Sequence, residues 1–339
     1  MIKIGNIELP EFPLLLAPME DVSDPPFRAV CKMNGADLMY TEFISSEGLI
    51  RNARKSMMKL DIYEDERPVG IQFFGGEIDT MVNCVEIIEE ADPDIIDINY
   101  GCPVKGVACR GAGAGILKDV PKMVRMTAEI VKKASRPVTV KTRLGWDDQS
   151  KNVIDVAERL QDIGIAAISI HGRTREQMYK GQADWNLIGE VKNNSRMHIP
   201  VFLNGDVTSP EKVKYAFEKY GVDGVMIGRA AIGNPWFFNQ AKHYLKTGTH
   251  LPLPDITGRI NVSRTHLSKS IAWKGERLGI LEMRKHYSNY FKGLPNVKEY
   301  RDQLVRLETE EEIENIFNQM GEAYMNAEPA IQETLEMSL

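Results

Sequence analysis

The sequence predicts an α/β fold, a (β/α)8 TIM barrel followed by a small C-terminal helical domain. Three observations carry this prediction. Eight short apolar or β-branched runs, each ending in polar or glycine-bearing residues, recur through the first 235 or so residues. The runs are continuous and do not alternate, which suits strands covered on both faces in a parallel sheet. Helical stretches such as "DVPKMVRMTAEIVKKA" separate them, and eight βα units in about 240 residues is the scale of a closed barrel, typically about 250 residues.

In chain order, "LLLAPM" (Leu14–Met19) packs three leucines before a proline, and "LMYTEF" (Leu38–Phe43) turns polar at Glu42. "VGIQFFG" (Val69–Gly75) and "IIDINYG" (Ile95–Gly101) both end on glycine, as does "VTVKTRLG" (Val138–Gly145). "AAISIHGR" (Ala166–Arg173), "VFLNGDV" (Val201–Val207) and "GVMIGRA" (Gly224–Ala230) complete the set. An open doubly wound sheet is the competing architecture. It calls for a topological switch point and a GxGxxG turn after an early strand, where this chain has "APMEDVSD". The barrel is expected over residues 1–246. A linker rich in turn formers, "TGTHLPLPDITGR", covers 247–256, a helical domain with apolar spacing of three and four covers 257–325, and 326–339 reads as a fraying tail.

Hydrophobic content of 43% and charged content of 27% in 339 residues describe an ordinary globular protein. No stretch approaches a membrane span, and "MIKIGNIELPEF" lacks the basic start of a signal peptide, so a cytoplasmic protein is expected. The four cysteines, Cys31, Cys84, Cys102 and Cys109, have no paired spacing, which argues for free thiols and no metal cage. The net charge of −6 is unevenly spread. Asn261–Leu307 holds ten Lys/Arg against four Asp/Glu, whereas Glu308–Leu339 has nine acids and no base. The basic segment is either a solvated helical face or a nucleic-acid contact.

In a barrel, the C-terminal ends of the strands share one mouth. Here they bring Pro18, Met19, Glu42, Gln72, Asn99, Cys102, Lys141, Arg143, His171, Arg173, Asn204, Asp206, Gly228 and Arg229. Buried polar groups are costly unless paired or bound to something, so a ring of them predicts a ligand. The loops after the last two strands, with Gly205, Gly228 and Arg229, suit a phosphate held by backbone N–H groups. Together with Lys141, His171 and Gln72 they outline a site that would suit flavin mononucleotide, with Lys141 as a cation near the reduced ring.

Cys102 follows the fourth strand in "IDINYGCPVKGVACRGAGAG". A metal ligand would need further soft donors, and a nucleophile would need a base; neither is visible. A packed core thiol and a proton donor both remain open, since a free thiol near pKa 8.5 is mostly protonated at neutral pH. Hydride from a flavin and a proton from a thiol would together reduce a polarised C=C bond.

That cysteine loop closely resembles the signature of the tRNA-dihydrouridine synthases, with Asn99, Gly101, Cys102, Pro103, Gly113 and Ala114 in register. The resemblance continues through "APMEDVSDPPFR", "QFFG", "VKTRLGW", "HGRTREQMYKGQADW", "NGDV", "GRAAIGNPW" and "MRKHYSNYFKGLP", over roughly residues 10 to 310. The nearest likeness is to the bacterial B-type subfamily. It implies reduction of a tRNA uridine to 5,6-dihydrouridine, with FMN as cofactor and NADPH as reductant. Cys102 would protonate C5 while flavin N5 delivers hydride to C6. Asn99, Lys141, Arg143 and Tyr179 would hold the uracil. The flavin would contact Pro18, Met19, Gln72, Lys141, His171, Asn204, Gly205, Asp206, Gly228 and Arg229.

The resemblance also assigns a task to the basic segment: Arg284, Lys285, His286 and Lys292 become expected tRNA contacts, with Arg264, Lys269, Lys274 and Arg277 beside them. A monomer is expected. Two other readings compete: an FMN barrel acting on a free small molecule such as a pyrimidine or enone, and a tRNA-binding protein without redox activity.

Overall fold

The computed structural model describes residues 1–336. Its chain divides into two compact units, one formed by Met1–Ala231 and Phe237–His250, the other by Ile232–Trp236 and the chain from Leu251 onward. Among the described residues no helix is long and apolar enough to cross a membrane.

The first unit is a closed parallel barrel. Its strands are Leu14–Leu16, Leu38–Tyr40, Val69–Phe74, Ile95–Asn99, Val138–Arg143, Ala167–His171, Val201–Asn204 and Gly224–Ile227. Each pairs with its neighbours in parallel, and the eighth closes on the first through Val225 opposite Leu14. A two-residue strand, Ile44–Ser45, adds a short pairing to the third strand. Seven of the eight starts coincide with the sequence reading; the sixth begins one residue later, and every strand ends one to three residues earlier. The trimmed residues, Pro18, Gly101 and Gly228 among them, leave the ladder and turn toward the mouth.

Helices return the chain between strands, and their ends follow local chemistry. Asp24, Asp119 and Ser209 accept from the third backbone N–H beyond them, with proline in the first turn of each helix that follows. Such caps contribute about 1 kcal/mol each.

One end of the barrel interior is apolar: Leu15, Leu38, Tyr40, Ile95, Ala167, Phe202 and Met226 pack there with Ile4 and Leu9. The latter two belong to an N-terminal hairpin, Ile2–Ile4 with Ile7–Leu9, absent from the sequence reading because each arm has only three residues. Large side chains face glycines: a Cβ on Gly70 would lie 2.7 Å from the Tyr40 ring, and one on Gly224 the same distance from Phe202.

The second unit consists of helices Ile256–Lys274, Glu276–Tyr290, Lys298–Leu304 and Glu310–Glu336 around a core of Trp236, Ile260, Leu267, Met283, Tyr287, Tyr290, Phe291 and Phe317. Ile232–Trp236 belongs here, not with the barrel, because Trp236 is buried against Tyr290. The last helix runs into the segment expected to fray, and residues 337–339 lie outside the described residues.

Candidate active site

Strand alternation sorts the barrel residues. Asp97 and Asn99 share a face, as do Thr139, Lys141 and Arg143, and Ser169 and His171. The parallel register sets Gln72 beside Asp97 and Asp97 beside Thr139, with Asn99 beside Lys141. It also sets Arg143 beside His171 and His171 beside Asn204. The interior therefore changes from apolar to polar along its axis, and the polar end is the mouth.

Cys102 sits just beyond the fourth strand and is 6% exposed. Asn99 holds its loop, since Asn99 Oδ1 accepts from the backbone N–H of Gly101 at 2.9 Å and of Cys102 at 2.8 Å. Arg143 holds it from the other side, its Nε donating to Gly101 O while Nη1 donates to Thr174 O and Met178 O, both at 3.0 Å. Burial pushes the Cys102 thiol up; Arg143 and Lys141 pull the other way without prevailing. The thiol is protonated at neutral pH.

Lys141 is 9% exposed, and among the described residues its ammonium makes no hydrogen bond or ion pair. Burial first, then the Arg143 charge, brings it down to about 8. The same forces act on His171: burial, followed by Arg143, Lys141, Arg173 and Arg229, holds its imidazole well below the ordinary range, so it is neutral. Arg143 itself falls to about 10, chiefly through burial.

Asp206 organises the next two loops. Its Oδ2 accepts from Arg173 Nη2 at 2.6 Å and from Ala183 N at 2.8 Å, and Oδ1 lies 3.3 Å from Arg229. Burial would raise this carboxyl, but the Arg173 hydrogen bond and the Ala183 N–H hold it below the usual value. Asn204 Nδ2 donates to Met226 O, tying the seventh strand to the eighth. Gly205 has φ +110°, and a Cβ there would come within 2.7 Å of the His171 ring. Pro18 and Met19 are half-buried, and the space above Gly228 is bounded by Ala17 and Met19. Tyr179 is exposed, with the Arg229 and Arg143 guanidinium groups 5.2 and 6.0 Å from its ring centre.

The barrel thus gathers all the candidate flavin and uracil residues, but several are already engaged. Asn99, Arg143 and Asp206 spend most of their hydrogen bonds on neighbouring loops. Gln72 is fully buried, donating to Asp97 and accepting from Asn99. Asp97 was missed in the sequence; its signal was an acid two residues before Asn99 in an otherwise apolar strand. Lys118 and Arg175 lie 3.8 and 4.6 Å from the centre of the Trp146 ring. Glu20, Asp21 and Glu42 converge at the mouth, where Lys59 pairs with Glu20 at 2.6 Å and Glu42 at 3.4 Å.

In the helical unit one expectation is corrected. His286 is 2% exposed, its ring 4.6 Å from that of His266 and packed near Tyr290, so it is a core residue and faces no phosphate. Lys274 and Arg264 are likewise engaged, with Glu282 and Glu314. Arg284 is half-buried and donates to Leu307 O at 3.1 Å. Lys292 and Arg277 are exposed, while Lys285 and Lys269 are half-buried.

The donor set fits a flavin phosphate and ring: an unpaired buried ammonium, a neutral imidazole, an exposed arginine and a glycine-lined cradle at the two loops where barrels hold phosphate. Comparisons with known proteins identify relatives of the whole chain. The chain is 40% identical over 307 residues to tRNA-dihydrouridine synthase B of Pseudomonas putida, covering 91% of this chain and 90% of that protein. It is 41% identical over 302 residues to a probable tRNA-dihydrouridine synthase of Rickettsia bellii, covering 89% and 92%. Among solved structures, histamine dehydrogenase from Rhizobium sp. 4-9 matches with a TM-score of 0.55 at 12% identity, over 79% of this chain and 50% of that one. An amine oxidase from Pseudomonas geniculata N1 matches with a TM-score of 0.57 at 12% identity, over 78% and 52%. This chain spans about half the length of those two, which share its barrel fold. The sequence model of the dihydrouridine synthase (Dus) family matches residues 15–327, and the chain belongs to that family.

Proposed function

We propose that this protein reduces the C5=C6 bond of a uridine in tRNA to give 5,6-dihydrouridine, with FMN as cofactor and NADPH as reductant. The observation that carries this reading is a protonated thiol, Cys102, fixed by Asn99 and Arg143 in the same mouth as an unpaired Lys141. When bound, FMN supplies the hydride for C6 of the uracil and is restored by NADPH.

The chain's own residues do the rest. Lys141 offers positive charge to the flavin and the uracil carbonyls, and His171, neutral, offers a hydrogen bond without adding charge. Arg229 and the backbone around Gly205 and Gly228 receive the phosphate. Cys102 gives its proton to C5, and its raised pKa keeps that proton on the sulfur at neutral pH until it is needed. A uridine must leave its stack to enter such a mouth, so the base is flipped out. Lys292, Arg277 and Lys285 supply charge toward tRNA phosphates.

The test is direct. Purified protein, FMN, NADPH and a tRNA transcript should yield tRNA that gains two hydrogens per modified base by mass spectrometry, whereas free uracil or uridine should be left untouched. Efficient turnover of the free pyrimidine with none on tRNA would overturn the assignment in favour of a small-molecule reductase.

A further inference from the structure

We propose that Asp97 is a positioning residue: it sets the direction of a buried hydrogen-bond relay that holds the Cys102 loop. The relay runs across three strands. The carboxylate of Asp97 accepts from Gln72 Nε2 and from Thr139 Oγ1. With its nitrogen committed to Asp97, Gln72 presents Oε1 to Asn99 Nδ2 at 2.8 Å. Asn99 therefore presents Oδ1 to the N–H groups of Gly101 and Cys102. Gln72, Asp97 and Asn99 are all buried.

Direction is the point. A side-chain amide donates at one end and accepts at the other, so it can be flipped; a carboxylate only accepts. Were Gln72 flipped, its oxygen would face the Asp97 carboxylate. Asn99 would then turn its nitrogen toward two backbone donors, leaving buried groups unsatisfied. Only the two ends of the relay cannot be reversed: the Asp97 carboxylate, which accepts, and the backbone N–H groups of Gly101 and Cys102, which donate. Between them, Asp97 fixes Gln72, and Gln72 and the two N–H groups together fix Asn99. The groups that face it are Gln72, Thr139, Tyr40 and Lys141. Burial raises its carboxyl to about 6, and the two donors and Lys141 favour the ionised form, which dominates above that pH.

The consequence for the loop is independent of function; the consequence for turnover rests on the reading proposed above. Asp97→Asn should be tolerated, because its oxygen can face Gln72 while its nitrogen turns to Thr139, whose hydroxyl can accept as well as donate. Asp97→Leu removes the acceptor while keeping the branched shape of the side chain. In the full-length protein, amide hydrogen exchange on the peptide carrying Gly101 and Cys102 should quicken about tenfold or more in Asp97→Leu and stay within about twofold in Asp97→Asn. For tRNA, kcat should drop about 10- to 100-fold in Asp97→Leu and stay near the wild-type value in Asp97→Asn.

A second pair of variants covers the case in which Asp97→Leu does not fold. In Asn99→Asp, two carboxylates compete for one Gln72 nitrogen, so the thermal midpoint should drop as pH rises from about 5 to about 8. Adding Asp97→Asn should abolish that drop, because Gln72 then donates to position 99 and accepts from position 97. Unchanged exchange in Asp97→Leu, equal damage from both substitutions at 97, or no pH-dependent loss in Asn99→Asp would each overturn the proposal. Exchange and melting need neither flavin nor tRNA. If these results hold while the wild-type protein leaves tRNA unreduced, the functional reading fails and the relay stands.

Discussion

At the scale of single residues, the mouth is governed by burial acting on like charges. Lys141 and Arg143 are both lowered, first by burial and then, for Lys141, by the Arg143 charge, while Arg173 and Arg229 share one acid, Asp206, so positive charge is left over for an anion. Lys141 gives a pH test. Its folded-state value of about 8 lies below the unfolded value, so the empty site gains stability as pH rises above about 8. An anionic flavin binds the charged form, so the opposite sign applies to affinity. Flavin affinity, followed by fluorescence quenching, should weaken up to about tenfold per pH unit above about pH 8. Lys141→Met should bind flavin more weakly and lose that dependence; a parallel slope in the variant would remove Lys141 from the flavin site. Cys102 was legible in the sequence because a polar loop followed a strand end. Asp97 was not, because one acid inside an apolar strand looks the same whether it anchors a relay or merely sits there.

At the scale of elements, strand starts were legible because continuous apolar runs mark where a buried ladder begins. Their ends were not, because residues such as Asn99 and Cys102 carry the same local pattern whether they stay in the sheet or turn out of it. The helix Glu276–Tyr290 shows a different loss. Its charges suggested a binding face, yet Met283, His286 and Tyr290 stand three and four residues apart, which puts His286 on the buried stripe. His266, beside it, donates to or accepts from Tyr290 Oη at 2.9 Å. Burial, then Lys274 and Lys285, lowers His266 to about 3. The unfolded chain takes up a proton near pH 6.5 that the native one refuses, so stability contributed by neutral His266 is present above that pH and lost below it. The loss is about 1.4 kcal/mol per pH unit. Replacing His266 with asparagine should flatten the decline of the thermal midpoint between about pH 6.5 and pH 4.5; an unchanged slope would contradict this.

At the scale of the whole molecule, a net charge of −6 conceals a basic stretch bounded by an acidic helix. Binding of a polyanion through that stretch must release counterions, so affinity should decline steeply with salt. Neutralising exposed Arg277 and Lys292 should raise KM for tRNA several-fold and reduce the salt slope by up to about two. Flavin reduction by NADPH should not change; a matching loss there would mean that the substitutions disturb the fold. The barrel itself was legible from eight repeats of one theme. The allotment of Ile232–Trp236 to the helical unit was not, because only packing around Trp236 decides it. The proposed reduction depends most directly on the protonated thiol. In Cys102→Ala, FMN should bind and NADPH should reduce it at the wild-type rate, while oxidation of that reduced protein by tRNA in single turnover slows by at least about 100-fold. Oxidation by tRNA at the wild-type rate would contradict it.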